Sequence, residues 1–229
     1  MKKRAIVNYS DPQYKNGLLR LLESLRGFDT STYDFFAFDH HDQLKCKPHS
    51  WVPYQFKPYA MVSIANMGYE SILYLDASMY AIADPRPVFE EIEKTGYVLE
   101  SCGANLGQFC TDLALQEFGI DRDFAMNIPM HSAGFTGLCV SQPKPAIFLE
   151  NLFQFAKEEK TFKGPWTNEN NQCSPDPRCK GHRHDQSVAC YLAHKYGMEI
   201  KPPTLMRYGS PEQSDTARAE GFKFLAQGI

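Results

Sequence analysis

The chain has 229 residues, 43% of them hydrophobic and 22% charged, which is ordinary globular usage and excludes a disordered, collagen-like or coiled-coil protein. Its 24 basic residues against 27 acidic ones leave a net charge of −3, the wrong sign for a protein that holds nucleic acid by neutralising phosphates. No apolar run approaches the ~20 residues of a membrane span, so no transmembrane segment is expected.

Strand-like and helix-like segments alternate along the chain. Residues 4–9 read as a first strand. The basic start before them resembles a signal-peptide leader, but the apolar stretch is too short for one. Leu18, Leu21, Leu22 and Leu25 form a helical stripe that Gly27 closes. Residues 33–39, rich in aromatics, read as a second strand. A helix is expected from Lys57-Pro58 to Asn66, with Gly68 as its cap. The continuous apolar run 71–75 is typical of a buried parallel strand. A helix from the turn 84–87 to Gly96, a strand over 97–100, and a short helix over 113–118 follow. Residues 129–141 read as a strand interrupted by Gly134 and Gly137. A helical stripe follows Pro145, then a polar stretch over 163–181 of a length usually reserved for functional or mobile loops. The last elements expected are a helix over 185–196, a strand over 198–201, and a docking helix around Phe222, Phe224 and Leu225.

This alternation predicts one α/β domain with a mostly parallel, Rossmann-like central sheet flanked by helices. In such sheets ligands bind beyond the carboxyl ends of the strands. The chain carries no G-x-G-x-x-G after its first strand, no G-x-x-x-x-G-K-[ST], and no G-x-S-x-G. A dinucleotide site, a P-loop and a hydrolase nucleophile elbow are therefore not expected. The seven cysteines, odd in number and scattered, read as reduced thiols and place the protein in the cytoplasm.

Five constellations carry candidate chemistry. Tyr74-Leu75-Asp76-Ala77-Ser78 ends a buried strand in a carboxylate and a hydroxyl, where Asp76 and Ser78 offer oxygen to a hard cation or cap a turn. Gly181-His182-Arg183-His184-Asp185-Gln186-Ser187 gathers two histidines and an acid at a helix start, where Asp185 is either a functional carboxylate or an N-cap. Ser10-Asp11-Pro12-Gln13-Tyr14-Lys15 leads into a helix N-terminus, which favours anions within reach of Lys15. The stretch 51–59 joins aromatics suited to stacking, or to the core, with Lys57. Cys173-x5-Cys179-x2-His182-x-His184 fits no common structural zinc spacing.

Taken together, Ser10–Lys15, Phe56-Lys57-Pro58, Tyr74–Ser78, His131-Ser132-Ala133-Gly134-Phe135 and His184-Asp185-Gln186-Ser187 resemble the nucleotide-sugar glycosyltransferases of GT-A fold. Their order covers residues 4 to about 201. The pattern is nearest to small transferases of bacterial surface glycans and chlorella-virus capsid glycans. Asp-Ala-Ser stands where that family has Asp-x-Asp.

The resemblance implies a single GT-A-like domain over 1–229, with a donor half at about 1–100, an acceptor half at about 101–205 and a tail at 206–229. It implies a hexosyltransferase-type enzyme that moves sugar from a nucleoside-diphosphate sugar, most readily a UDP-sugar, to a glycan hydroxyl, assisted by Mn²⁺ or Mg²⁺. Tyr9, Ser10, Lys15, Asp39, Lys57, Asp76, Ala77 and Ser78 are then the donor contacts. Asp76 and Ser78, completed by His182 or His184, are the metal ligands. Asp185 is the catalytic carboxylate, either a base giving inversion or a stabiliser accompanying retention. His131, Gly134 and Phe135 line the acceptor side, and the 163–181 loop closes over the donor.

Two other classes use the same residues. A metal-dependent sugar-nucleotide or phosphoester hydrolase would release nucleotide without an acceptor. A non-catalytic binding module on a degenerate transferase fold would tolerate Ser78 in place of an acid.

Overall fold

In the computed structural model, which describes residues 3–227, the chain begins with β1 (Arg4–Tyr9), buried along all but its first position. It continues through α1 (Lys15–Leu25), β2 (Asp34–Phe38), α2 (His41–Leu44), α3 (Phe56–Asn66), β3 (Ser71–Leu75) and β4 (Met79–Ala81). The middle of the chain forms α4 (Arg86–Thr95), β5 (Tyr97–Asn105), α5 (Asp112–Phe118), α6 (Arg122–Ala125), β6 (Pro129–Cys139) and α7 (Pro143–Glu158). The last third forms α8 (His184–Lys195), β7 (Met206–Tyr208), α9 (Ser214–Ala219) and β8 (Phe224–Ala226).

The main sheet has the order β2-β1-β3-β6-β5. β1 is parallel to β2 and β3, and β6 runs against both β3 and β5, so every strand but β6 points the same way. The strand period of two sorts the apolar side chains onto two faces. Val7, Ile72 and Tyr74 join one cluster with Ile64 of α3, Phe148 of α7 and Val188 of α8. Ile6, Leu73 and Leu75 join the other with Leu21 of α1 and Phe89 and Ile92 of α4. With helices on both faces, a run such as Ser-Ile-Leu-Tyr-Leu in β3 is buried at every position.

Three expectations are corrected. β6 is one continuous strand through Gly134 and Gly137, because each glycine is a close approach and not a turn: a Cβ at Gly137 would stand 2.5 Å from the Ile92 side chain. Residues 198–201 form no strand beyond a single bridge from Lys201 to Glu100. The Glu100 carboxylate holds the following segment instead, accepting from the N–H groups of Thr204 (2.7 Å), Leu205 (2.8 Å) and Met206 (2.9 Å). The tail forms strands rather than a docking helix around Phe224 and Leu225. β8 pairs antiparallel with β4 and parallel with β7 in a second sheet. Phe224 reaches Phe135 while Leu225 packs with Tyr80, the opposite-face alternation of a strand.

Candidate active site

The carboxyl ends of β1 and β3 lie side by side, held by a hydrogen bond from Asn8 Nδ2 to the Leu75 carbonyl (2.7 Å). Beyond them opens a cleft of about 180 Å³ walled by Tyr9, Tyr14, Tyr54, Phe56 and His49, with Asp76, Ala77 and Ser78 at its floor. The Tyr9 ring stacks on Phe56 at 3.9 Å, and burial pushes its phenol up to about 12. These rings give the cleft flat aromatic walls, beside which Asp11 adds a carboxylate.

Asp76 leaves β3 with its N–H bonded to the Gly134 carbonyl (2.9 Å). A Cβ on Gly134 would stand 2.7 Å from Asp76 Oδ2, so glycine is what lets this carboxylate lie against β6. The first turn of α3 sends Lys57 into the same place. Its ammonium lies 3.1 Å from Asp76 Oδ1, 3.2 Å from Asp76 Oδ2 and 3.3 Å from Asp185 Oδ2, and it also donates to the Ala133 carbonyl at 3.3 Å. The Tyr54 and Tyr74 rings stand 4.9 and 5.4 Å from it. Burial opposes the Lys57 charge, but Asp185 and Asp76 outweigh it and hold the ammonium above its ordinary value. Asp185, its side chain 8% exposed, is pushed up to about 6 by burial, with Lys57 pulling down and Asp76 pushing up.

Two left-handed residues flank this trio, Tyr54 (φ 58°) just before α3 and His184 (φ 48°) just before Asp185. Such conformations cost of order 1–3 kcal/mol each and persist where surrounding packing over-determines them. Here the two rings face one another at 5.6 Å, and Trp166 stacks on His184 at 5.8 Å.

The other expected site residues divide clearly. Ser10 is buried with its hydroxyl unpartnered, while Lys15 and Asp39 are exposed outside the cleft wall. His131, expected on the acceptor side, lies inside the protein. It is 1% exposed, its ring sits between Cys190 Sγ (3.2 Å) and Thr136 Oγ1 (3.3 Å), and burial drives it down to about 3. Phe135 is fully buried against Phe224 on the far face of the sheet, because its position in β6 alternates away from the site.

His182 is not placed to bind a metal: its Nε2 meets the Thr161 carbonyl (2.9 Å) and its Nδ1 accepts from the Thr111 N–H (3.4 Å). His184 uses Nδ1 on the Phe162 carbonyl (2.9 Å). Burial lowers these two rings to about 3 and about 4. Cys173 and Cys179 point their thiols at the Pro165 and Cys110 carbonyls, and no disulfide joins any of the described cysteines.

Sequence reasoning missed Trp166 and Tyr208, and gave Arg183 and Gln186 no role beyond their place in the 181–187 cluster. The 163–181 loop is stitched by Asn168, whose amide bonds the backbone of Cys173, Ser174 and Cys179. It delivers Trp166 to the site, where the Arg183 guanidinium lies between Trp166 (3.9 Å) and Phe109 (4.3 Å). Gln186, beside Asp185, bridges the His131 carbonyl (2.7 Å) to Cys102 Sγ (3.4 Å). Cys102 lines a second groove, of about 540 Å³, between the end of β5 and β7, whose exposed Tyr208 reaches Ser132 Oγ at 2.9 Å. The only signal for these residues was the length of the loop and the Gln after Asp185.

The donor set around Asp76 is a poor one for a hard divalent cation, which takes one or two free carboxylates beside waters and substrate phosphates, because the carboxylate offered is already held by an ammonium. Both Asp76 oxygens face an ammonium, Ser78 adds only a hydroxyl and His182 has both nitrogens engaged, while His184 commits only Nδ1 and Asp11 and His49 line the same cleft. Among the described residues the one trio of acidic, His or Cys ligand atoms that converges is His40, His41 and Asp42, on the surface at α2.

No protein-family model matches the sequence, nor does any curated protein. Solved structures do. Mouse xyloside xylosyltransferase 1 superposes with a TM-score of 0.54 at 14% identity, over 99% of this chain and 97% of that one. A glycosyltransferase involved in glycosylating the major capsid of PBCV-1 gives 0.52 at 13% identity, over 98% and 93%. The bifunctional glycosyltransferase WbbM gives 0.54 at 11% identity over 98% of this chain, which spans 45% of WbbM. These likenesses establish the fold as that of GT-A-type glycosyltransferases.

Proposed function

We propose, from the premise of a GT-A-type fold, that this protein is a glycosyltransferase that moves a hexose-type sugar from a nucleoside diphosphate to a hydroxyl of a glycan. The observation that carries this reading is the meeting of two carboxylates on one ammonium at the sheet's ligand edge: Asp76 from the end of β3 and Asp185 from the start of α8, both on Lys57. The aromatic cleft beside Asp76 takes the nucleoside. UDP is the nucleotide proposed for it, to be tested against GDP, CMP and ADP. The groove lined by Cys102 and Tyr208 takes the acceptor, since Gln186 links it to Asp185.

In the reaction the bond from the anomeric carbon to the β-phosphate oxygen breaks, and its electron pair leaves with the diphosphate. The acceptor oxygen bonds the anomeric carbon, and its proton passes to the departing phosphate oxygen. Asp185 faces the positive charge that develops on the sugar. Covered to 8% exposure and paired with Lys57, it serves as a fixed anion rather than as a base, which favours retention of configuration. Burial of the site keeps competing water out. Among the described residues no helix is long and apolar enough to cross a membrane. Cysteines that form no disulfide among the described residues suit a reducing, cytoplasmic setting.

Thermal unfolding with UDP, GDP, CMP and ADP tests the donor site. A ligand at about 100 times its dissociation constant adds ~2.7 kcal/mol, or roughly 5–10 °C at this length. A shift for one nucleotide, reduced in Tyr9→Ala, which removes a ring of the cleft wall, is expected, followed by sugar transfer with retained anomeric configuration. If no nucleotide moves the midpoint, the donor assignment falls. If an acceptor glycan leaves nucleotide release unchanged, the activity is hydrolysis.

A further inference from the structure

The loop after β3 is neutralised by protein cations on both of its sides. Lys57 spans both oxygens of Asp76 and contacts Asp185, buried at 5% exposure. Arg20, from α1, approaches the other end: its Nη2 donates to the Ser78 carbonyl at 2.9 Å and its Nη1 to Gln227 Oε1 at 2.7 Å. The Gln227 N–H takes the same Ser78 carbonyl at 3.0 Å. The strand β8 places Gln227 directly beside Ser78, because Ala226 pairs with Met79. The neighbouring-strand position from which a further ligand could join Asp76 and Ser78 therefore carries an amide whose oxygen is already engaged by a guanidinium. Two fixed cations, Lys57 and Arg20, balance Asp76 and Asp185, and Asp11 is a third carboxylate on the cleft wall.

We propose that this site binds its nucleotide without a resident divalent cation, Lys57 and Arg20 neutralising the Asp76–Ser78 loop so that no metal ion is needed to offset its carboxylate. The inference rests on the transferase reading above. A hard dication at Asp76 would meet an ammonium across both carboxylate oxygens, a lone hydroxyl and an engaged amide, which is a poor donor set. A diphosphate meets a loop of no net charge, so it needs no dication to approach Asp76. The surface trio His40, His41 and Asp42 is rich in imidazole and suits zinc-like ions more than Mn²⁺ or Mg²⁺.

Two measurements on the full chain, stripped with EDTA, test this. In the first, Mn²⁺ is titrated without nucleotide and followed by electron paramagnetic resonance, for wild type and Asp76→Asn. Superimposable titrations are expected, since any surface binding at His40–Asp42 is common to both proteins. One equivalent of bound Mn²⁺ that disappears in Asp76→Asn overturns the proposal. In the second, UDP binding is measured by calorimetry in EDTA and in excess Mn²⁺. Dissociation constants within about threefold of one another are expected, along with weakening of at least about tenfold in Lys57→Met and recovery in Lys57→Arg. A gain of more than about tenfold with Mn²⁺, absent in Asp76→Asn, overturns it. If none of UDP, GDP, CMP or ADP binds under either condition, the transferase reading itself fails, while the Mn²⁺ titration still decides whether the loop holds a metal.

Discussion

Replacing Asp185 by asparagine should separate activity from stability. Asp185 is buried, and its carboxyl sits at about 6 instead of 3.8, so the fold disfavours its ionised form even with Lys57 alongside. A gap of about two pH units corresponds to ~3 kcal/mol. Between those two values the native state holds a proton that the unfolded chain has released. Stability therefore falls as pH rises through that window and stays level above it. Asparagine has the shape of the neutral acid and carries no such penalty. Lys57 keeps Asp76 at 3.1 Å, so no buried cation is left alone. At pH 7.5 Asp185→Asn should gain ~1–3 kcal/mol, or roughly 3–8 °C in midpoint, and at pH 4 the two proteins should coincide. Transfer should drop by at least about 100-fold, because the anion facing the reacting sugar is gone. Urea unfolding at both pH values, beside a transfer assay, measures this. A variant that is less stable than wild type at pH 7.5 would refute the argument, because it would mean that the carboxylate is a net stabilising partner of Lys57.

The other predictions concern the frame around that centre. His131 and His182 lie at about 3 and His184 at about 4, against an ordinary 6.5, because burial opposes their charge. Their stabilisation is complete above pH 6.5 and lost as pH falls. By pH 5 each withdraws up to ~2 kcal/mol, more together than Asp185 returns, so urea midpoints should fall between pH 7 and pH 5. Gly134→Ala would bring a methyl to 2.7 Å from Asp76 Oδ2 and 3.2 Å from Met79 Cε. It should weaken nucleotide binding by about tenfold or more at a stability cost of only ~1–2 kcal/mol, read by calorimetry and thermal unfolding. Unchanged affinity would detach Asp76 from the nucleotide. Glu100→Ala strands the three N–H groups of Thr204, Leu205 and Met206, and should cost at least ~3 kcal/mol in urea unfolding.

Local periodicity made most of the elements legible. The leucine stripe of α1, the all-apolar β3 and the glycine after α4, which sits at φ 92°, each carry their signal within a few residues. The tail was misread because β8 is only three residues long, and its partners β4 and β7 lie far away in sequence. A strand of that length has too little periodicity to separate it from a helix end. Residues 198–201 failed for a related reason: what holds that segment is a carboxylate from β5, a side-chain contact that no local pattern records.

The site divides along the same line. The sequence by itself determined which chemistry is on offer: an acid closing a buried apolar strand, a serine two residues after it, an acid opening a late helix, and a lysine in an aromatic helix start. These follow from residue type and neighbours alone. Only the tertiary structure decided that Asp76, Lys57 and Asp185 converge within 3.3 Å, that Gly134 exists to make room for Asp76, and that Arg20 and Gln227 close off Ser78. It also turned His131, His182 and Phe135 inward, where the sequence had offered them to ligands. The reason is physical: a side chain's partners across the sheet are fixed by strand order and register, and its charge by burial. Neither can be read from the residues beside it in the chain.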